Sequence, residues 1–292
     1  MKPQFKTEIL SRNVLKVRVN DMKCGDSVTF LLSSDRHHDN PKCDQKLEKK
    51  HLDEAKEIGA GIIDAGDLFC AMQGKFDKRS SKDDIREEHR HGDYLDRLVS
   101  TAAEFYAPYA ENILVFGLGN HETAILSRHE TDLTSRLVER LNSRLEIDRN
   151  AHRIQAGGYC GAVRFLFSRG DYRTSKNLFY HHSTGGGGPV TRGVIQTNRM
   201  AVMFPDADVM LSGHTHDEWV VKIARQRISE AGKLFVDEQI HVRSTGYKMD
   251  WPEDGYAGFA VEKMLGPKPL GAAWLKATMR KDGIHLEITA AK

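Results

Sequence analysis

The stretch NILVFGLGNHE, residues 112–122, decides how this chain folds. Its apolar run has strand length, and the polar GNHE that closes it reads as a turn at the strand's end. The same order recurs upstream. SVTFLLSSD (27–35) runs into DRH (35–37), and GIIDAGD (61–67) again stops on an aspartate. Amphipathic segments of helix length separate these runs, from about Asp44 to Ile58 and from about Tyr94 to Tyr109. Strand and helix in alternation predict an α/β fold.

Downstream, a helical stretch is expected from about Glu130 to Asn142, after which strands dominate. AVRFLFSRG, KNLFYHH, DVMLSGHTH, WVVKIARQR, QIHVRSTG, YAGFAVEKM, AAWLKATMR and IHLEIT all read as strands, and about 191–204 reads as a helix. The polar segment QGKFDKRSSKDDIREEHRHGD (73–93) is too charged to make core, so a surface insertion is expected at about 71–93. No repeat or heptad run divides the chain, and one domain over 1–292 is the simplest organisation.

Composition excludes several classes. Hydrophobic residues are 39% and charged residues 29%, which fits a globular protein rather than a disordered one. No stretch approaches the ~20 apolar residues of a membrane span, and the first residues lack a secretory apolar segment, so a cytoplasmic protein without a membrane partner is expected. Cys24, Cys43, Cys70 and Cys160 are irregularly spaced, giving neither a metal-binding pattern nor a disulfide framework. A formal charge of +2, from 43 basic and 41 acidic residues, gives no global field for a polyanion. No protein partner is indicated.

Five short signals carry the chemistry: DRH (35–37), GD (66–67), GNHE (119–122), HH (181–182) and GHTH (213–216). Each follows an expected strand, so all five should gather at one edge of the sheets, where open α/β folds build ligand sites. Carboxylate, imidazole and amide oxygen are what hard or borderline divalent ions take. If the strands continue through the motifs, Asp35 and His37 project from one side, as do His214 and His216. The glycines before Asp67, Asn120 and His214 suit turns where backbone must approach an ion or phosphate closely.

In this order the motifs resemble the signature of the calcineurin-like metallophosphoesterases, over about residues 28–217. The resemblance implies a four-layer α/β sandwich, two facing and mostly mixed sheets flanked by helices. It implies that residues 218–292 complete the second sheet and 71–110 cap the rim of the site. It also implies two divalent ions. Asp35, His37 and His216 would hold one, Asn120, His181 and His214 the other, and Asp67 would bridge them. Of the histidine doublet, His181 is preferred as ligand and His182 is assigned to the substrate or to support of the ligands. The family's frequent proline after this motif is replaced by Ser183 and Thr184. Manganese is the first expectation for the ions, with iron, zinc and nickel also suited to such donors.

The implied reaction is phosphoester hydrolysis, with a hydroxide shared by the ions attacking phosphorus in line. His121 would protonate the leaving oxygen and Glu122 would orient His121. Arg36 is a candidate phosphate contact. A phosphodiester such as a nucleotide or nucleic acid is favoured over a monoester, and GDLFCAM lacks the Asp-Arg-Gly of Ser/Thr protein phosphatases, so that activity is not expected. A compact nuclease related to DNA-repair exonucleases, and a non-catalytic metal-bound binding module, are the alternatives. The layout also looks like that of phosphoesterases carried by bacteriophages. His38, Asp39 and Asn40 are expected either at the substrate or in a solvated loop, and Trp219, Tyr247, Trp251 and Tyr256 either stacked on a base or in the core.

Overall fold

The computed structural model describes residues 5–72, 81, 83–145, 152–186, 188, 190–252, 255–256 and 258–292. Thirteen strands form two mixed sheets among them. In chain order these are β1 (Lys6–Ser11), β2 (Val14–Val19), β3 (Ser27–Ser33), β4 (Gly61–Asp64), β5 (Ile113–Phe116), β6 (Gln155–Ala156), β7 (Cys160–Arg169), β8 (Tyr172–His181), β9 (Val209–Ser212), β10 (Trp219–Ile228), β11 (Leu234–Arg243), β12 (Ala272–Arg280) and β13 (Gly283–Ala291). One sheet runs β1-β2-β7-β8-β9-β11-β10 and the other β13-β12-β3-β4-β5-β6. The α-helices are α1 (Gln45–Ile58), α2 (Tyr94–Tyr106), α3 (Asn120–His129), α4 (Leu133–Asn142), α5 (Gln196–Met203) and α6 (Phe259–Glu262).

Strand alternation explains the layering. Leu15 and Val17 of β2, Phe30 and Leu32 of β3, and Val163, Phe165 and Phe167 of β7 meet between the sheets in one apolar cluster. Leu31, Ile62, Ile113 and Phe116 face the other way, onto the apolar stripes of α1, α2 and α4. Strands β3, β4 and β5 are mutually parallel, as are β8 and β9. Each parallel set therefore brings its carboxyl ends to a common edge. All five motifs lie at or just past those ends.

The α1 helix starts on Asp44, whose side chain accepts from Lys46 N and Leu47 N, and ends on Gly59 at φ 70°. The expected boundaries of α1 and α2 are close to the observed ones. Four readings change. YAGFAVEKM holds the short helix α6 rather than a strand; its apolar run is too short for periodicity to decide, and Gly258 at φ 130° interrupts it. Residues 218–292 are shared out, β10 and β11 to one sheet and β12 and β13 to the other. The α2 helix packs in the outer core instead of forming a rim. Of the 71–93 insertion, residues 73–80 and 82 lie outside the described residues, while Ile85 and His89 are buried, His89 Nε2 lying 2.9 Å from Thr101 Oγ1.

Candidate metal centre

Strand β3 stops at Ser33, and the backbone then turns sharply. Asp35, His37, Asp67, His214 and His216 have φ of 53°, 44°, 55°, 79° and 54°. Among the described residues they are five of the eleven non-glycine residues in the left-handed region. Each such residue costs on the order of 1 kcal/mol or more, and strain of this kind collects where function requires it. The convergence of Asp35 with His37, and of His214 with His216, thus comes from these turns and not from strand alternation.

The loops are zipped to one another. Asp35 N donates to Gly66 O at 2.8 Å, His37 N to Asp67 O at 3.0 Å, and His214 N to Asp35 Oδ2 at 2.8 Å. Glycine is required at two crossings. A Cβ on residue 119 would lie 2.0 Å from Asp67 Oδ1, and one on residue 213 would lie 1.9 Å from Ser34 Oγ and 2.3 Å from Asp35 Oδ2.

Two triads result. Asp35, His37 and His216 place one donor atom each within 4.8 Å of one another, and so do Asp67, His182 and His214. His182 Nε2 joins the triads, 3.1 Å from Asp67 Oδ2 and 3.9 Å from Asp35 Oδ1. Asn120 Oδ1 stands 2.7 Å from His214 Nδ1 and 3.2 Å from His182 Nε2. The expectation for the doublet is thereby corrected: His182 lies in the cluster and His181 does not. His182 shares the parity of Leu178 and Tyr180, which face the space between the sheets. His181 points to the opposite side, where it lines a cavity of about 230 Å³ with Gln196, Arg199, Met200 and Phe204.

The donors fit divalent ions. Asp35 Oδ1 is buried without a hydrogen-bond partner, with His216 Nε2 at 3.4 Å. His37 Nε2 faces His216 Nε2 at 3.3 Å, so ring nitrogens and an orphaned carboxylate oxygen converge. Electrostatics agree. Burial works against a charged His182, yet Asp67 and Asp35 overrule it and hold the imidazole up at about 10. Burial likewise opposes ionised Asp67, but His182 and His121 keep its carboxyl well below the ordinary range. A proton on His182 therefore balances carboxylates that a bound cation would balance better.

The remaining assignments divide. His121 borders the cluster, with Nε2 3.9 Å from Asp67 Oδ2 and Nδ1 2.6 Å from the Cys70 carbonyl. That carbonyl orients the ring. The buried Glu122 carboxylate instead accepts from Asp67 N, Phe69 N and Gly119 N at 3.1, 2.8 and 2.9 Å, fastening the GD loop to the start of α3. Burial and then Asp67 push it up to about 8. Arg36 is not a phosphate contact. Fully buried, it donates to Asp64 at 2.8 Å, Glu48 at 3.0 Å and Ser33 Oγ at 2.8 Å.

His38, Asp39 and Asn40 are also buried. His38 pairs with Glu48 at 2.8 Å, Asp39 accepts from Cys70 N and Ala71 N, and Asn40 Nδ2 donates to Cys70 Sγ. Tyr247 is fully buried, and Trp219 lies under Arg243, 5.1 Å from the guanidinium carbon to the ring centre. Arg243 belongs to none of the five motifs. It donates to Gly213 O, to Thr215 Oγ1 at 3.4 Å and to Ser183 Oγ at 3.4 Å, tying the GHTH loop to the segment after the doublet. Its only advance sign is a cation at the end of an apolar strand.

No protein-family model matches this chain, and no curated protein sequence matches it. Among solved structures it is similar to GAP50, the anchor in the inner membrane complex of Plasmodium, at TM-score 0.44 and 12% identity over 92% of this chain and 86% of that one. It is similar to a conserved uncharacterized protein, a predicted phosphoesterase, of Streptococcus pneumoniae TIGR4 at TM-score 0.32 and 9% identity, over 91% of each chain. It is also similar to zinc-complexed Vps29 of Entamoeba histolytica at TM-score 0.34 and 9% identity, over 91% of this chain and 100% of that one. Among the described residues no helix is long and apolar enough to cross a membrane. With likeness this low, side-chain geometry alone carries the functional reading.

Proposed function

We propose that this chain is a two-metal phosphoesterase acting on a phosphodiester, such as a nucleotide or nucleic acid. The observation that carries the reading is the pair of mostly buried triads, linked through His182, with Asp35 Oδ1 orphaned between its neighbours. Asp35, His37 and His216 would hold one ion, Asn120, His182 and His214 the other, with Asp67 between them. A pair of divalent ions supplies a Lewis acid for the phosphate oxygens and a water of lowered pKa.

The protein's own residues supply the rest. With Nδ1–H given to the Cys70 carbonyl, His121 presents Nε2 to the site as the atom that holds and delivers a proton to the leaving oxygen. Glu122 keeps Asp67 and Asn120 in register by holding three backbone amides at once. The burial of Arg36 supports a diester, because the only arginine in the motifs is spent on Asp64 and Glu48 and does not meet the second charge of a monoester.

The test is hydrolysis of bis(p-nitrophenyl) phosphate against p-nitrophenyl phosphate with Mn²⁺ present. Diester turnover is expected to exceed monoester turnover. His182→Ala should lose at least the ~10²–10³-fold that removal of one electrostatic stabiliser costs, while His181→Ala stays within about threefold of the parent. Turnover of neither ester, by protein shown to hold two ions, would replace catalysis with a metal-held binding module.

A further inference from the structure

The Cys70 thiol is used by neither the motifs nor the proposed chemistry, yet it stands against both. Its Sγ, one ring nitrogen of His37 and one of His121 lie within 4.8 Å of one another. The positions are fixed. Cys70 N donates to Asp39 Oδ1 at 2.5 Å, the Cys70 carbonyl meets His121 Nδ1 at 2.6 Å, and Sγ accepts from Asn40 Nδ2 at 3.2 Å. His121 keeps Nδ1 on the Cys70 carbonyl and turns Nε2 toward Asp67 Oδ2, 3.9 Å away. His37 turns Nε2 to His216, and its Nδ1 is buried without a hydrogen-bond partner.

One sulfur with two imidazole nitrogens is a donor set for a thiophilic ion, whereas the neighbouring triads, rich in carboxylate, suit harder ones. We propose that His37, Cys70 and His121 form an overlapping site for a soft divalent ion such as Zn²⁺ or Cd²⁺, and that its occupation inhibits hydrolysis. As the sulfur–metal bond forms, the Cys70 thiol gives its proton to solvent and no redox change occurs. The ion engages the His121 ring that would otherwise carry the leaving-group proton, and it competes for the His37 ring with the Asp35–His216 triad. Burial holds the free thiol up at about 12, so Cys70 stays protonated until a metal displaces its proton.

The inhibitory half rests on the phosphoesterase reading; the binding half does not. Cd²⁺ is titrated into metal-free protein carrying Cys24→Ser, which removes the exposed thiol, and into the same protein with Cys70→Ser added. The Cd–thiolate charge-transfer absorbance should saturate in the first and be lost in the second. An undiminished band in the Cys70→Ser protein overturns the site. In parallel, Mn²⁺-supported diester hydrolysis is measured with and without excess Zn²⁺, as a ratio within each protein. The ratio should fall at least about tenfold with Cys70 present and less than about twofold without it, in line with the 10–100-fold that metal-site partners are worth. Equal inhibition overturns the regulatory half. Should neither protein hydrolyse the diester, the phosphoesterase reading fails while the absorbance still decides the site.

Discussion

Two buried polar networks lie on opposite sides of one short segment, and they differ in completeness. Arg36 and His38 turn into a closed network with Ser33, Glu48, Asp64 and the Tyr106 hydroxyl, in which Arg36 satisfies both carboxylates and sits 5.8 and 5.4 Å from the rings of Tyr106 and Tyr247. Asp35 and His37 turn the other way, into a cluster where Asp35 Oδ1 and His37 Nδ1 are buried with no hydrogen bond. Buried polar groups are normally satisfied, because an unmet one costs about 1–3 kcal/mol. The closed network has the form of a structural brace. The open one, on a strained backbone, has the form of a receptor for cations.

The sharpest way to break this contrast is to substitute one member of each network. Asp67→Asn should lower diester turnover at least ~10³-fold while moving the urea midpoint little, since no large group is removed from the core. Arg36→Met should do the reverse. It leaves Asp64 and Glu48 buried without their cation, which costs about 3–5 kcal/mol in urea unfolding, while turnover of the folded fraction at low temperature stays within about tenfold. Equal loss of stability in both variants would dissolve the distinction.

A smaller effect concerns acid. Burial raises the Glu48 carboxyl, but His38, Arg36 and the Tyr106 hydroxyl hold it down at about 2. A carboxyl whose folded pKa is depressed stabilises the fold above its ordinary pKa, and that contribution is lost as pH falls from about 4.5 toward 2. Asp64, raised by burial, works in the opposite sense. Glu48→Gln should therefore be less stable at neutral pH and should lose less additional stability between about pH 4.5 and 2.5. Urea midpoints across that range measure the difference; parallel curves for parent and variant would contradict it.

Much of this was legible in the sequence, because an apolar run that ends on a motif residue needs only its end located. Asp35, Asp67, Asn120, His214 and His216 all follow strand ends that apolar composition marks. The doublet was harder. Parity with Leu178 and Tyr180 selects His182, but Phe179 makes both faces of β8 look apolar, and only the second sheet shows which is inward. The destination of Arg36 depends on Glu48 and Asp64, which tertiary packing supplies. Helix α3 stayed hidden because GNHE occupies its first turn and only Glu122 and Ile125 along it are buried, leaving little amphipathic signal. Strand β2 carries a clean alternation of Leu15, Val17 and Val19 that the charged opening segment masks, and β1 beside it is an exposed edge.

The most direct test is metal stoichiometry, by elemental analysis of protein equilibrated with Mn²⁺ and freed of loosely held ions. The two-triad arrangement predicts two ions per chain in the parent and no more than one in Asp67→Asn, with Arg36→Met still holding two. A parent that binds none, or an Asp67→Asn protein that still binds two, would contradict the assignment of this cluster as a dinuclear centre.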